Sequence, residues 1–188
     1  MAEYFESQYN ELFNENEKVN GSITLGPMSS FTWSNDPKRL LFVLSRYKFA
    51  ARVLEGASNV IEIGCGDGFA SRIVRQHVDN LLLTDIDKVM VEVASKSGSD
   101  KYPVKTIVHN FSDSILENND DFDGAYLLDV LEHIEPEYVE NTIKKLAELT
   151  IKVGFYSIHL GPASKILSSG KNAHLIQKPT SWWLPKLC

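Results

Sequence analysis

Cysteine is scarce in this chain of 188 residues, with only Cys65 and Cys188 present. Two such distant thiols make no disulfide framework. Long hydrophobic runs are missing too, and no apolar stretch reaches the length a bilayer span needs. The N-terminus, Met1-Ala2-Glu3-Tyr4-Phe5-Glu6, lacks the basic and apolar regions of a signal peptide. Basic residues are in deficit, 19 against 25 acids, for a net charge of −6. That balance argues against general nucleic-acid binding. No internal repeat or low-complexity tract is present. These absences predict a cytoplasmic protein of one domain, long enough to bury a proper core.

Charge of one sign is also missing locally. From Pro37 to Leu54 there is no acid, while Lys38, Arg39, Arg46, Lys48 and Arg52 are present. After Glu148 there is again no acid, and Lys152, Lys165, Lys171, Lys178 and Lys186 remain. For any single lysine, ordinary solvated surface is the simpler reading.

What is present is concentrated in Val60-Ile61-Glu62-Ile63-Gly64-Cys65-Gly66-Asp67-Gly68-Phe69-Ala70. A short β-branched apolar run reads as a buried strand. It enters three glycines at alternate positions, and a helix is predicted over 68–78. Strand, glycine turn and helix start make a cradle for an adenosine-bearing cofactor. The dinucleotide pattern G-x-G-x-x-G places its third glycine one residue later. Acids at Glu62 and Asp67 suit a cationic ligand better than a pyrophosphate.

The remaining chain alternates. The spacing predicts a helix over 3–18, a loop over 20–34, and a helix from Asp36-Pro37 to about Glu55, stopped by Gly56. Its apolar residues, including Leu40, Leu41, Tyr47, Phe49 and Leu54, predict extensive burial. Strands are predicted at 59–63, 81–85, 104–109, 122–128 and 151–158, with helices at 87–96 and 136–149, the latter opened by Pro136. A short amphipathic helix is expected to start at Thr180 or Ser181. This is an α/β pattern, a three-layer Rossmann-like, mostly parallel sheet with helices on both faces. Residues 1–36 read as a helix-and-loop extension and 37–188 as the domain proper.

The glycine segment resembles motif I of the class I S-adenosylmethionine-dependent methyltransferases, and Asp123-Gly124-Ala125-Tyr126-Leu127-Leu128-Asp129-Val130-Leu131-Glu132-His133-Ile134 resembles their strand-four motif. The likeness covers roughly residues 38–160. It implies methyl transfer from S-adenosyl-L-methionine to oxygen or nitrogen of a small-molecule acceptor. The basic tail suggests an anionic acceptor, such as a sugar or polysaccharide precursor. The resemblance assigns the cofactor to Glu62, Gly64, Cys65, Gly66, Gly68, Asp85, Ile86, Asn110, Phe111, Leu128 and Asp129. Asp85, at the end of strand two, would hold the ribose hydroxyls and Ile86 would pack on adenine. Asn110 and Phe111 would flank adenine, with a turn-forming Asn110 as the competing reading.

His133, His159 and His174 are candidate bases for the acceptor, with His133 and His174 taken as the catalytic pair. Asp129-x-x-Glu132-His133 also resembles the ligand set of metal-assisted methyltransferases, an alternative in which His174 completes the site. Trp182 and Trp183 either line an acceptor cleft or close the core. The family usually adds an antiparallel strand pair after this point, which the chain is expected to lack. A non-catalytic cofactor-binding fragment is therefore a further alternative. Strand five is expected to be an open edge, covered by a second copy or another partner.

Overall fold

The computed structural model describes residues 7–20, 23–114, 116 and 121–187. Five parallel strands form one sheet in the order β3-β2-β1-β4-β5. They are β1 (Asn59–Ile63), β2 (Asn80–Asp85), β3 (Lys105–Val108), β4 (Phe122–Leu128) and β5 (Thr150–Ser157). All four pairings are parallel. Parallel strands need crossovers, and helices supply those after β1, β2 and β4. Those helices are α4 (Ser71–Arg75), α5 (Lys88–Ala94) and α6 (Val139–Leu149). Preceding the sheet are α1 (Ser7–Asn20), α2 (Pro27–Asn35) and α3 (Pro37–Val53), and α7 (Thr180–Leu187) follows it.

Alternation along the strands splits the core. Val60, Leu81, Leu83 and Tyr126 face one layer, where Tyr47, Ala50 and Ala51 of α3 and Leu54 just after it pack with Val74 and Ala94. Ile61, Ile63, Leu82, Ala125 and Leu127 face the other layer, formed by Val139, Ile143 and Leu146 of α6 with Trp183 of α7. Trp183 is 2% exposed and so closes the core. No described helix is long and apolar enough to cross a membrane.

Three predicted boundaries shift. The stretch 20–34 holds a helix, α2, because Pro27 sits at its first turn, where its missing N–H costs nothing. The helix expected over 68–78 contracts to Ser71–Arg75. Pro136 opens a turn rather than α6 itself, which starts at Val139. In α3, Leu41 and Phe49 are exposed at 69% and 59%, contrary to the expected burial. Apolar residues surround that helix, and only one stripe can face the sheet. Among the described residues, β5 pairs with β4 alone, which leaves it the edge strand expected.

Candidate functional site at the carboxyl edge of the sheet

β1 ends in a turn whose glycines carry the conformations that side chains resist. Gly64 and Gly66 have φ of 75° and 55°. A Cβ on Gly64 would lie 2.5 Å from Val130, and one on Gly66 would lie 2.8 Å from Met28 Sδ. Both positions therefore demand glycine.

The amides of this turn are mostly spent on the protein itself. Gly64 N–H and Cys65 N–H donate to the Thr84 carbonyl at 2.8 and 3.0 Å. Gly66 N–H donates to Asp85 Oδ2 at 2.9 Å. Gly68 N–H donates to the Cys65 carbonyl at 3.1 Å, and Phe69 N–H to Asp67 Oδ1 at 3.3 Å. A pyrophosphate cradle needs outward-facing amides at a helix N-terminus. Here those donors are turned inward, and acids rim the turn instead.

Glu62 lies beneath the turn, 1% exposed. Its two oxygens accept from Tyr47 at 2.6 Å and Tyr126 at 2.5 Å. Burial raises its pKa against these hydrogen bonds, which oppose the shift. Glu62 thus ties β1 to α3 and β4 just before the turn. Cys65 is buried, and burial raises its thiol pKa, with Glu62 and Asp85 adding to the shift.

Asp85 joins the first and second strand ends. Its Oδ2 holds Gly66 and its Oδ1 accepts from Asp87 N–H at 2.9 Å. Asp87 caps α5 by accepting from Val89 N–H at 2.8 Å, leaving Asp85 to face the turn. Ile86 is 66% exposed beside it. Past β3, Asn110 closes an Asx turn, accepting from Ser112 N–H and donating to Asp113. Phe111 is buried in the α6-side core, so its ring is a wall of that core. Lys145 of α6, also buried, donates to the carbonyls of Phe111 and Ser112 at 3.2 and 3.0 Å.

Past Leu128, Asp129 has φ of 57°, a positive value at a residue other than glycine. Strained backbone of this kind gathers at functional sites. Arg46 of α3 pairs with its Oδ2 at 2.6 Å and Ser157 donates to its Oδ1 at 2.9 Å. Asp129 is thereby committed to α3 and β5.

The next turn, Leu131–His133, meets the tail. Ile176 N–H donates to the Glu132 carbonyl at 3.0 Å. His133 Nδ1 lies 2.7 Å from the Ala173 carbonyl and His174 Nδ1 lies 2.7 Å from the Gly161 carbonyl. The ring of His174 packs 4.8 Å from both His133 and His159. Ligand atoms of Glu132, His133 and His174 all lie within 4.8 Å of one another, and Asp129 is outside that group. Of the alternative metal set read from the sequence, Asp129, Glu132 and His133 with His174 completing it, the last three cluster here and Asp129 stands apart.

Several contributors carry no sequence signal of their own. Arg46, Tyr47, Tyr126, Lys145 and Ser157 resemble ordinary helix or strand residues until the fold brings them to the strand ends. Asn172 is another. Its Oδ1 accepts from Ala163 and His174 N–H groups at 2.9 Å each, which closes the tail loop on itself. Asp67 accepts from Ser29 N–H at 2.7 Å and from Ser29 Oγ at 3.1 Å, fastening α2 to the glycine turn.

Residues 60–154 match the family model described as a methyltransferase domain. No curated protein matches the chain. Similar solved structures include N-methyltransferase NodS from Bradyrhizobium japonicum WM9 in complex with S-adenosyl-L-homocysteine. That match has 15% identity and a TM-score of 0.52, over 74% of this chain and 67% of that one. An S-adenosylmethionine-dependent methyltransferase from Mesorhizobium loti matches at 19% identity and a TM-score of 0.53, over 73% and 77% of the two chains. The DhpI–SAH complex matches at 17% identity and a TM-score of 0.56, over 96% and 84%. At these identities the structures share the fold.

Proposed function

This chain belongs to the methyltransferase domain family, whose methyl donor is S-adenosylmethionine, and on that premise we propose that it methylates an oxygen or nitrogen of a small-molecule acceptor. The observation that carries this reading is the inward-turned, acid-rimmed glycine turn. A sulfonium cofactor is cationic at the reacting centre and needs no pyrophosphate cradle. Glu62 braces the turn, and Gly64, Cys65, Gly66 and Gly68 shape its surface. Asp85 retains acceptor capacity for the ribose hydroxyls, because a carboxylate offers about four lone-pair sites and two are occupied. Ile86 offers an exposed apolar surface for adenine. Asn110 and Phe111 contribute through the backbone of their turn, and Leu128 and Asp129 line the methionine end.

Methyl transfer from a sulfonium is an in-line displacement that depends on positioning. A hydroxyl acceptor gains further from a base. His133 and His174 suit that role, since a carbonyl can only accept and so requires the proton on Nδ1. Each ring then keeps a lone pair on Nε2.

Replacing Asp85 by Ala is expected to weaken S-adenosylhomocysteine binding by about tenfold or more, equivalent to about 1.4 kcal/mol. Calorimetry with S-adenosylhomocysteine and NAD checks this; unchanged affinity removes the ribose assignment, and preferential NAD binding removes the reading as a whole. Lys165, Lys171 and Lys178 are exposed on the acid-free tail and favour an anionic acceptor, a sugar phosphate or polysaccharide precursor. Changing all three to Gln is expected to raise KM for such an acceptor with cofactor affinity intact, and an unaltered KM refutes the anionic preference.

A further inference from the structure

Two apolar stripes of the chain lie uncovered, and they are bordered by opposite charges. On α1, Tyr9, Leu12 and Phe13 share one face and are exposed at 49%, 52% and 66%. Residues 9–18 of that helix are all exposed, so α1 buries none of its stripe. Glu15 stands three residues after Leu12 and Glu17 four after Phe13, which puts an acid on each side of the stripe. A helix of 14 residues is marginal in water unless its apolar face finds a surface. On α3, Phe42, Phe49 and Val53 recur at i, i+7 and i+11 on the face turned away from the sheet. Phe49 leans on Phe155 of β5 at 5.2 Å between ring centroids, which seats this stripe on the body of the domain. Lys38 and Arg39 stand four and three residues before Phe42, one on each side of it. Arg46 and Arg52 of the same acid-free stretch are paired with Asp129 and Glu55, whereas Lys38 and Arg39 make no ion pair among the described residues.

We infer that α1 of one chain docks on the α3 stripe of a second copy, and that the second copy makes the same contact in return. The apolar stripes meet at the centre, and Glu15 and Glu17 of one copy face the Lys38–Arg39 end of the other. Burial of the stripes drives association, and the bordering charges decide which helix pairs with which. Two α3 faces bring cations together and two α1 faces bring acids together, so like pairings are disfavoured. A chain that carries both halves of a complementary surface, each uncovered on its own, is completed by a two-fold pair in which one contact occurs twice. This gives the acid-free stretch from Pro37 to Leu54 a role that cofactor binding leaves open. The contact uses helix faces rather than the backbone edge of β5. It makes no demand on the glycine turn and stands independently of the proposed function.

Sedimentation velocity of the full chain tests this. A dimer is expected that dissociates on dilution and weakens as salt screens the bordering charges. Two double charge reversals read the contact from each side: Glu15→Lys with Glu17→Lys on α1, and Lys38→Glu with Arg39→Glu on α3. All four positions are exposed, and each pair lies toward the helix end that favours its new sign, so folding is retained. Either pair alone is expected to weaken the dimer by about tenfold or more, because like charges then face each other. Mixing the two variants is expected to restore it, since both contacts of the mixed pair then join opposite charges. Loss in both variants without restoration on mixing puts α1 on α3 of its own chain and overturns the exchange. A dimer indifferent to both pairs of substitutions uses another face and overturns it as well. So does a monomeric parent; if that monomer sediments with phosphatidylglycerol vesicles, the basic stripe faces an anionic membrane instead.

Discussion

Glu62 shows how a single buried carboxylate can tie a strand end to its neighbours. It is enclosed by Tyr47 and Tyr126, and burial makes its charged form unfavourable. Its pKa in the folded protein is raised above the unfolded value, near 4.3 for glutamate. The folded state therefore holds the proton more tightly. The stability this contributes is fully present below the unfolded pKa and is lost as pH rises through the raised folded value. Glu62→Gln removes that titration and is expected to flatten the fall in Tm above the ordinary carboxylate range. Thermal melts of parent and variant across acid to neutral pH check it, and parallel profiles would falsify the assignment. Glu132 shifts in the same direction through burial, so part of the parent slope remains in the variant.

At the scale of elements, the turn after β3 depends on α6, an element remote from it in sequence. Lys145 reaches it with a buried ammonium that holds the carbonyls of Phe111 and Ser112. Hydrogen bonds from a charged donor contribute about 1.5–3 kcal/mol each. Lys145→Met is expected to destabilise the fold by about 2 kcal/mol and to weaken S-adenosylhomocysteine severalfold, because the turn proposed to flank adenine loses its brace. Destabilisation with unchanged cofactor affinity, measured by melts and calorimetry together, separates that turn from the cofactor. The same scale explains α2. Its Pro27 reads as a breaker in sequence, yet the helix forms and is fastened by Asp67 from the glycine turn. A cap supplied by a side chain 38 residues away has no local signature.

Across the whole molecule, what was legible depended on how local its cause was. Five largely apolar runs, Gly56 after α3 and Asp87 before α5 act within a few residues, and their elements lie close to where the spacing predicts. The resemblance to motif I and to the strand-four phrase likewise rests on contiguous residues, and the family match over 60–154 agrees with it. Burial on α3 was harder to read, since its apolar residues occupy more than one face. The acceptor side was harder still. His133 and His174 are 41 positions apart in the numbering, and the tail loop alone brings their rings to 4.8 Å.

By itself, then, the sequence determined the alternation of strand and helix, the glycine conformations at Gly64 and Gly66, and the acidic ends of β1 and β2. Each follows from periodicity or from sterics within one turn. The tertiary structure alone decided that Asp129 is committed to Arg46 and Ser157, and that Glu132 keeps company with His133 and His174. Side chains at strand ends find their partners across the sheet edge, through burial and hydrogen bonding, and those distances are written only when the chain is folded.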